Sequence, residues 1–168
     1  MFKGCIIEVK HTAILFFALL VISSGSMGMS IFSGTKNCVF SSVQVQLLMN
    51  GQPVKHAKVL RKWNWNKNRA DETLTDKNGI AKFPAIYESS ASRLFPAEFV
   101  VGQGLSVIID GDEKEFYTNG KRKPDENSEW GGADFVAICE LSDEEVLIED
   151  YGSLMVTTCK LEKKDVQR

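Results

Sequence analysis

The stretch that decides the fold is Val43-Gln-Val-Gln-Leu-Leu-Met-Asn-Gly51-Gln-Pro53-Val54-Lys-His-Ala57-Lys-Val59. Val43, Val45 and Leu47 alternate with Gln44 and Gln46, which is the period of a strand with one buried face. Asn50-Gly51 and Pro53 then break the run, because glycine reaches positive φ at no steric cost and proline fixes its own φ. The chain returns through Ala57, Val59, Arg61, Trp63 and Trp65, with Lys58, Lys62 and Asn64 on the opposite face. A second reversal, Asp76-Lys-Asn-Gly79, follows a short strand Glu72–Thr75; the Asp76 carboxylate is placed to accept from the backbone two residues on. Ile80, Lys82, Phe83 and Ile86 continue as the next strand, with Pro84 marking an edge or an irregular end.

Working outward, Asn66–Asp71 is a polar loop and Tyr87–Phe95 a loop or short helical turn. Glu98–Val101, Leu105–Ile109 and Lys114–Thr118 are strands, and Asn119–Gly132 is a long loop. Phe135–Leu141 and Leu154–Leu161 close the pattern as strands, with Glu144–Glu149 as a strand or helical turn between them. There is no internal repeat and no sustained helical period. Short strands separated by polar turns predict an all-β antiparallel sandwich of about seven strands over residues 36–162, followed by a charged tail, 163–168.

The 168 residues carry 20 Lys+Arg against 22 Asp+Glu, a net charge of −2, which leaves no excess of positive charge to neutralise phosphates. Nucleic acid is therefore not an expected partner. Of two histidines, His11 lies in the N-terminal segment, so the folded part holds only His56 for proton transfer or imidazole ligation. Neither catalysis nor a bound metal or cofactor is expected. The carboxylates of Asp110-Gly-Asp112-Glu113 lack the regular oxygen spacing of a calcium loop, and Asp71, Glu72 and Asp76 fit a polar hairpin end better than a cation site.

Upstream, the run Ala13-Ile-Leu-Phe-Phe-Ala-Leu-Leu-Val-Ile22 follows Lys3 and Lys10 and precedes Ser23-Ser-Gly-Ser26. Residues 1–28 therefore have the form of a secretory signal, with an uncleaved anchor or a translation start at Met29 as the alternatives. The expected location is the periplasm or the periplasmic side of the inner membrane, any membrane contact being made through this segment alone; a start at Met29 implies the cytoplasm. Cys38, Cys139 and Cys159 form neither a full disulfide framework nor a metal pair. Cys139 and Cys159, in two late apolar segments, are either a disulfide in an oxidising compartment or two small buried hydrophobes.

The Gly51-Gln-Pro53-Val54-Lys-His-Ala57-Lys-Val59 run, with Thr75-Asp76-Lys-Asn-Gly79-Ile-Ala-Lys-Phe83, resembles the carboxypeptidase-regulatory-like and transthyretin-like sandwich domains. The second half is similar to a family of uncharacterised proteobacterial proteins. That similarity rests on Phe83-Pro-Ala-Ile86, Pro96-Ala-Glu98-Phe-Val-Val101, Lys121-Arg122-Lys-Pro124-Asp-Glu126-Asn127 and Ile138-Cys139-Glu140-Leu141. The resemblance implies a transthyretin-like fold and brings no established activity. Enzymes of that fold use several histidines with an arginine, or two tyrosines with two histidines on iron, which a single His56 cannot supply.

Trp63 and Trp65 share one face of a strand, with Arg61 beside them for cation–π stacking. They belong either to a sheet-packing core or to an aromatic surface for a protein partner, which Lys121, Arg122 and Trp130 of the long loop would complete. The expectation from sequence is a non-catalytic binding module of the bacterial envelope working through these six residues. An immunity or adaptor protein that neutralises a secreted effector is the alternative, and a hydrolase on this fold the weaker one.

Overall fold

The alternating run at Val43 forms the strand on which one sheet is built. The computed structural model describes residues 36–89 and 98–161; the leader 1–28, the stretch Ser90–Phe95 and the tail 163–168 lie outside the described residues. The strands in order are β1 Lys36–Phe40, β2 Val43–Met49, β3 Gln52–Pro53, β4 Lys58–Asn64, β5 Asn68–Leu74, β6 Ile80–Phe83, β7 Ile86–Ser89, β8 Val101–Ile109, β9 Asp112–Lys121, β10 Phe135–Glu140, β11 Val146–Ile148, β12 Met155–Thr157 and β13 Cys159–Leu161. A single 3₁₀ turn, Ser128–Trp130, interrupts them among the described residues.

The fold is an all-β sandwich. A five-stranded sheet runs β13-β10-β2-β3 with β6 also on β2, a six-stranded sheet runs β11-β12-β9-β8-β4-β5, and β1 pairs with β7 as a separate ribbon. One pair departs from the antiparallel expectation: β10 lies parallel to β2, Ala137 opposite Val45 and Cys139 opposite Leu47. Between the two large sheets, Val45, Leu47, Val59, Leu105, Val107 and Cys139 are fully buried and belong to one continuous core. Each such aliphatic side chain stabilises the sandwich by about 1.5–3 kcal/mol relative to exposure.

The described residues hold thirteen strands where about seven were expected: β1 and the two-residue β3 are additional, and two segments read as single strands are each divided between two sheets. At Pro84-Ala85 the chain leaves β6 on the five-stranded sheet for β7 on the ribbon, and at Thr158 it leaves β12 on the six-stranded sheet for β13 on the five-stranded one. Three local readings change as well. The charged stretch from Asn68 is edge strand β5, paired with β4 along its whole length, and not a loop. Tyr87–Ser89, expected as a loop or short helical turn, belong with Ile86 to strand β7, and Val101–Ile109 is one strand across Gly102 and Gly104. Cys139 and Cys159 are direct cross-strand partners of β10 and β13 and are joined by a disulfide.

The turn between β2 and β3 is held by a carboxylate from β10. Glu140 accepts from the Asn50 amide at 2.9 Å, the Gly51 amide at 2.8 Å and the Ser142 amide at 3.0 Å, and from the Ser142 hydroxyl. These donors, the Ser142 hydroxyl first and the Gly51 amide next, hold its pKa down to about 2 from 4.5. A depressed folded-state value means that its stabilisation is complete above the unfolded pKa and is lost as pH falls from about 4.5 towards 2. Glu140→Gln is therefore expected to lower the melting temperature at neutral pH and to flatten its fall over that window. Parallel thermal melts of both proteins in acid check it, and parallel curves would refute it.

Candidate functional site

The structure separates the six residues that sequence placed on one surface. Arg61 is fully buried, Trp63 is 8% exposed, Lys121 is fully buried and Trp130 is 3% exposed. Only Arg122, paired with Glu98 at 2.9 Å, stands in solvent, while half-buried Trp65 packs on Phe99 with ring centroids 5.5 Å apart. Strand alternation is the cause. Arg61 and Trp63 share the inward face of β4 with Val59, and Lys121 continues the inward face of β9 after Tyr117 and Asn119. Trp130 stacks on Phe135 at 3.9 Å and lies 5.2 Å from Tyr117, closing the core end under the 3₁₀ turn. As they stand, these side chains do not make one contact surface.

Two of the buried charges are built into the fold. The Lys121 ammonium donates to the Glu129 carboxylate, to the Asp125 carbonyl at 2.7 Å and to the Ser128 hydroxyl at 2.9 Å. Glu129 also accepts from the Ser41 amide at 3.1 Å, the Ser41 hydroxyl at 2.8 Å and the Gln103 amide at 3.3 Å. The loop after β9 is thereby folded back over the sheet end. Its outer side is tied to β7 by the Tyr87 hydroxyl, which donates to Glu126 and has its pKa pushed up to about 12 by that bond.

An open face exists elsewhere, on the outward side of the six-stranded sheet. There Thr118 of β9, Gly104 of β8, Lys62 of β4 and Ala70 of β5 lie in one row, and Gly120, Gly102, Asn64 and Asn68 in the next. Because the central positions carry no side chain, a trough of about 590 Å³ opens over Gly102, Gly104 and Thr118, walled by Lys62, Asn64 and Glu115. The first row continues on the far side through Val156 and Leu147, and Leu147 and nearby Leu154 are 60% and 58% exposed. Beside the trough, Glu113 accepts from Lys62 and from the Ser106 hydroxyl at 2.6 Å, and these two donors, Lys62 first, hold its carboxyl below the usual range.

The bare floor is not a steric necessity of the fold. A Cβ on Gly102 would meet only the Asn64 Cβ at 4.0 Å, and one on Gly120 would meet nothing within 4 Å. Gly104 is tighter, its Cβ falling 3.0 Å from the Glu115 carboxylate, the end of a movable side chain. The signal was present in the sequence as Gly102-x-Gly104 with Gly120, glycines two apart inside strand-forming runs.

Among the described residues no group of three or more His, Cys, Asp or Glu is arranged to hold a metal ion. Asp71 is engaged by Arg61, and Asp76 accepts from the Asn78 and Ile80 amides at 2.8 and 2.9 Å, so both serve the hairpin. No helix of the described residues is long and apolar enough to cross a membrane. Residues 43–144 match the model of a family described as a domain of unknown function, DUF6795. No curated protein and no solved structure matches.

Proposed function

On the premise that the chain belongs to the DUF6795 family, we propose that it is a non-catalytic binding module of the bacterial envelope that receives a protein partner in the glycine-floored trough. The observation that carries this reading is the floor itself. Glycine in a strand interior costs about 0.5–1 kcal/mol relative to alanine. At Gly102 on the floor, and at Gly120 next to it in the row but outside the lining, a side chain is unopposed, so packing within the chain does not require glycine there. Strands keep glycine at bulges, at tight bends and where another molecule approaches closely; a bulge at Leu105/Ser106 adjoins Gly104, and for Gly102, which is away from it, close approach is the reading we adopt. The polar wall of Lys62 and Asn64 offers such a partner hydrogen bonds, and Leu147, further along the Thr118 row, with nearby Leu154 adds exposed apolar surface beyond the trough itself.

The Cys139–Cys159 disulfide, of a kind that persists in oxidising surroundings, and the apolar run Ala13–Ile22 support a periplasmic or periplasm-facing location. The Gly/Pro and Asp/Gly turn motifs support a transthyretin-like or carboxypeptidase-regulatory-like kinship, and the segments Phe83–Ile86, Pro96–Val101, Lys121–Asn127 and Ile138–Leu141 support a proteobacterial source. The scarcity of histidine supports the absence of catalysis.

Gly102→Leu fills the trough and removes no packing. It is expected to leave the melting temperature unchanged or slightly raised, since leucine suits a pleated surface better than glycine. Binding should fall at least tenfold. The check is affinity capture from envelope extract of the source bacterium, comparing proteins retained by the wild type with those retained by the variant. An identical set on both would sink the trough as the binding face.

A further inference from the structure

We propose that β11 is an open docking edge for an extended peptide segment with an apolar centre and Lys or Arg on both flanks. This goes beyond the trough reading and rests on the backbone edge and the flanking acids of β11, sharing only Leu147 with it. Among the described residues β11 has a strand neighbour on one side only, β12, so the other side presents unpaired backbone N–H and C=O groups. Two of its three side chains stay uncovered too, Val146 at 51% and Leu147 at 60% exposure, while Ile148 packs against the core. An apolar edge of this kind is a template for pairing with another strand.

Charge selects the occupant. Glu144 and Glu145 precede Val146-Leu-Ile148 and Glu149 and Asp150 follow it, all four exposed and none in an ion pair with a described residue. Neighbouring Asp143 is already engaged by Lys160 at 3.0 Å. A second copy is a poor occupant. Antiparallel pairing of two β11 strands about Leu147 sets Glu145 against Glu149 and Glu144 against Asp150, and like charges directly opposite destabilise a strand pair. The same acids attract a strand whose flanks are basic. The far edge of the sheet differs: Lys58 of β4 and Glu72 of edge strand β5 neutralise each other at 3.1 Å, and β5 runs Asn-Arg-Ala-Asp-Glu-Thr-Leu with little apolar surface.

The test uses the full chain and two labelled synthetic peptides, Lys-Lys-Val-Ile-Val-Lys-Lys and Glu-Glu-Val-Ile-Val-Glu-Glu, titrated by fluorescence anisotropy. The basic peptide is expected to bind saturably and at least roughly tenfold more tightly than the acidic one, with a preference that shrinks as salt is added. Changing all four flanking acids to lysine, E144K, E145K, E149K and D150K, each an exposed substitution, should reverse the order of the two peptides. L147P should abolish binding of the basic peptide, and the charge-reversed variant decides the matter if L147P does not fold. Gly102→Leu should leave peptide binding unchanged, which separates a failure here from a failure of the trough. Equal binding of both peptides, no binding of either, an order that survives the charge reversal, or a homodimer that excludes the peptide would each overturn the proposal.

Discussion

Replacing Glu129 with alanine is expected to cost ~3–5 kcal/mol of folding stability, because it leaves the Lys121 ammonium buried without its counter-charge. Both side chains are fully buried. The loss does not stop at Lys121. The Ser41 amide, the Ser41 hydroxyl and the Gln103 amide all donate to the same carboxylate, and Gln103 also donates to the Val39 carbonyl at 2.8 Å. One change thus leaves several donors short of acceptors in a site that excludes water, each with its own desolvation penalty. Urea denaturation of the single and double variants checks the argument. Lys121→Met with Glu129→Leu removes both charges and fills the space, so it should be far less destabilised than the sum of the two single changes. A Glu129→Ala loss below about 1 kcal/mol would mean that the pair is solvated in solution.

The same pair shows where sequence stops being informative. Val43, Val45 and Leu47 announce their strand because hydrophobic alternation is local. The burial of Lys121 depends on Glu129 coming back over it through a turn with Asn127 and Gly131 at φ 59° and 69°, and no pattern around Lys121 predicts that return. A lysine is mostly exposed unless paired, so without sight of the partner the surface assignment is the natural one. The sheet switches at Pro84 and Thr158 escape notice for a related reason: period-two alternation continues across a break whichever sheet the next strand joins. The glycines at 102, 104 and 120 were a different case. The spacing of two between Gly102 and Gly104 fits one face of a strand, but glycine also signals turns, and the turn meaning hides the other.

Arg61 carries the second large effect and decides between two roles for one residue. Its guanidinium lies 4.6 Å from the Phe83 ring centroid, 5.2 Å from Phe40 and 5.8 Å from Trp63. Its Nε donates to Asp71 at 2.9 Å, one terminal nitrogen to the other Asp71 oxygen at 2.5 Å, and the second to the Pro84 carbonyl at 2.6 Å. This group joins β4 to β5 and to the point where the chain leaves β6 for β7. Arg61→Ala is therefore expected to cost ~3 kcal/mol or more through lost packing and orphaned acceptors. Arg61→Lys should recover only part of it, since an ammonium can neither span both Asp71 oxygens nor stack flat on the rings. Trp63 is the natural reporter, because its indole N–H donates to Glu88 at 2.7 Å beside Arg69. A red shift of tryptophan emission on denaturation that moves to lower urea in the order wild type, Arg61→Lys, Arg61→Ala would assign Arg61 to the core. A variant of wild-type stability that loses its partner would return Arg61 to the contact surface that its spacing from Trp63 first suggested.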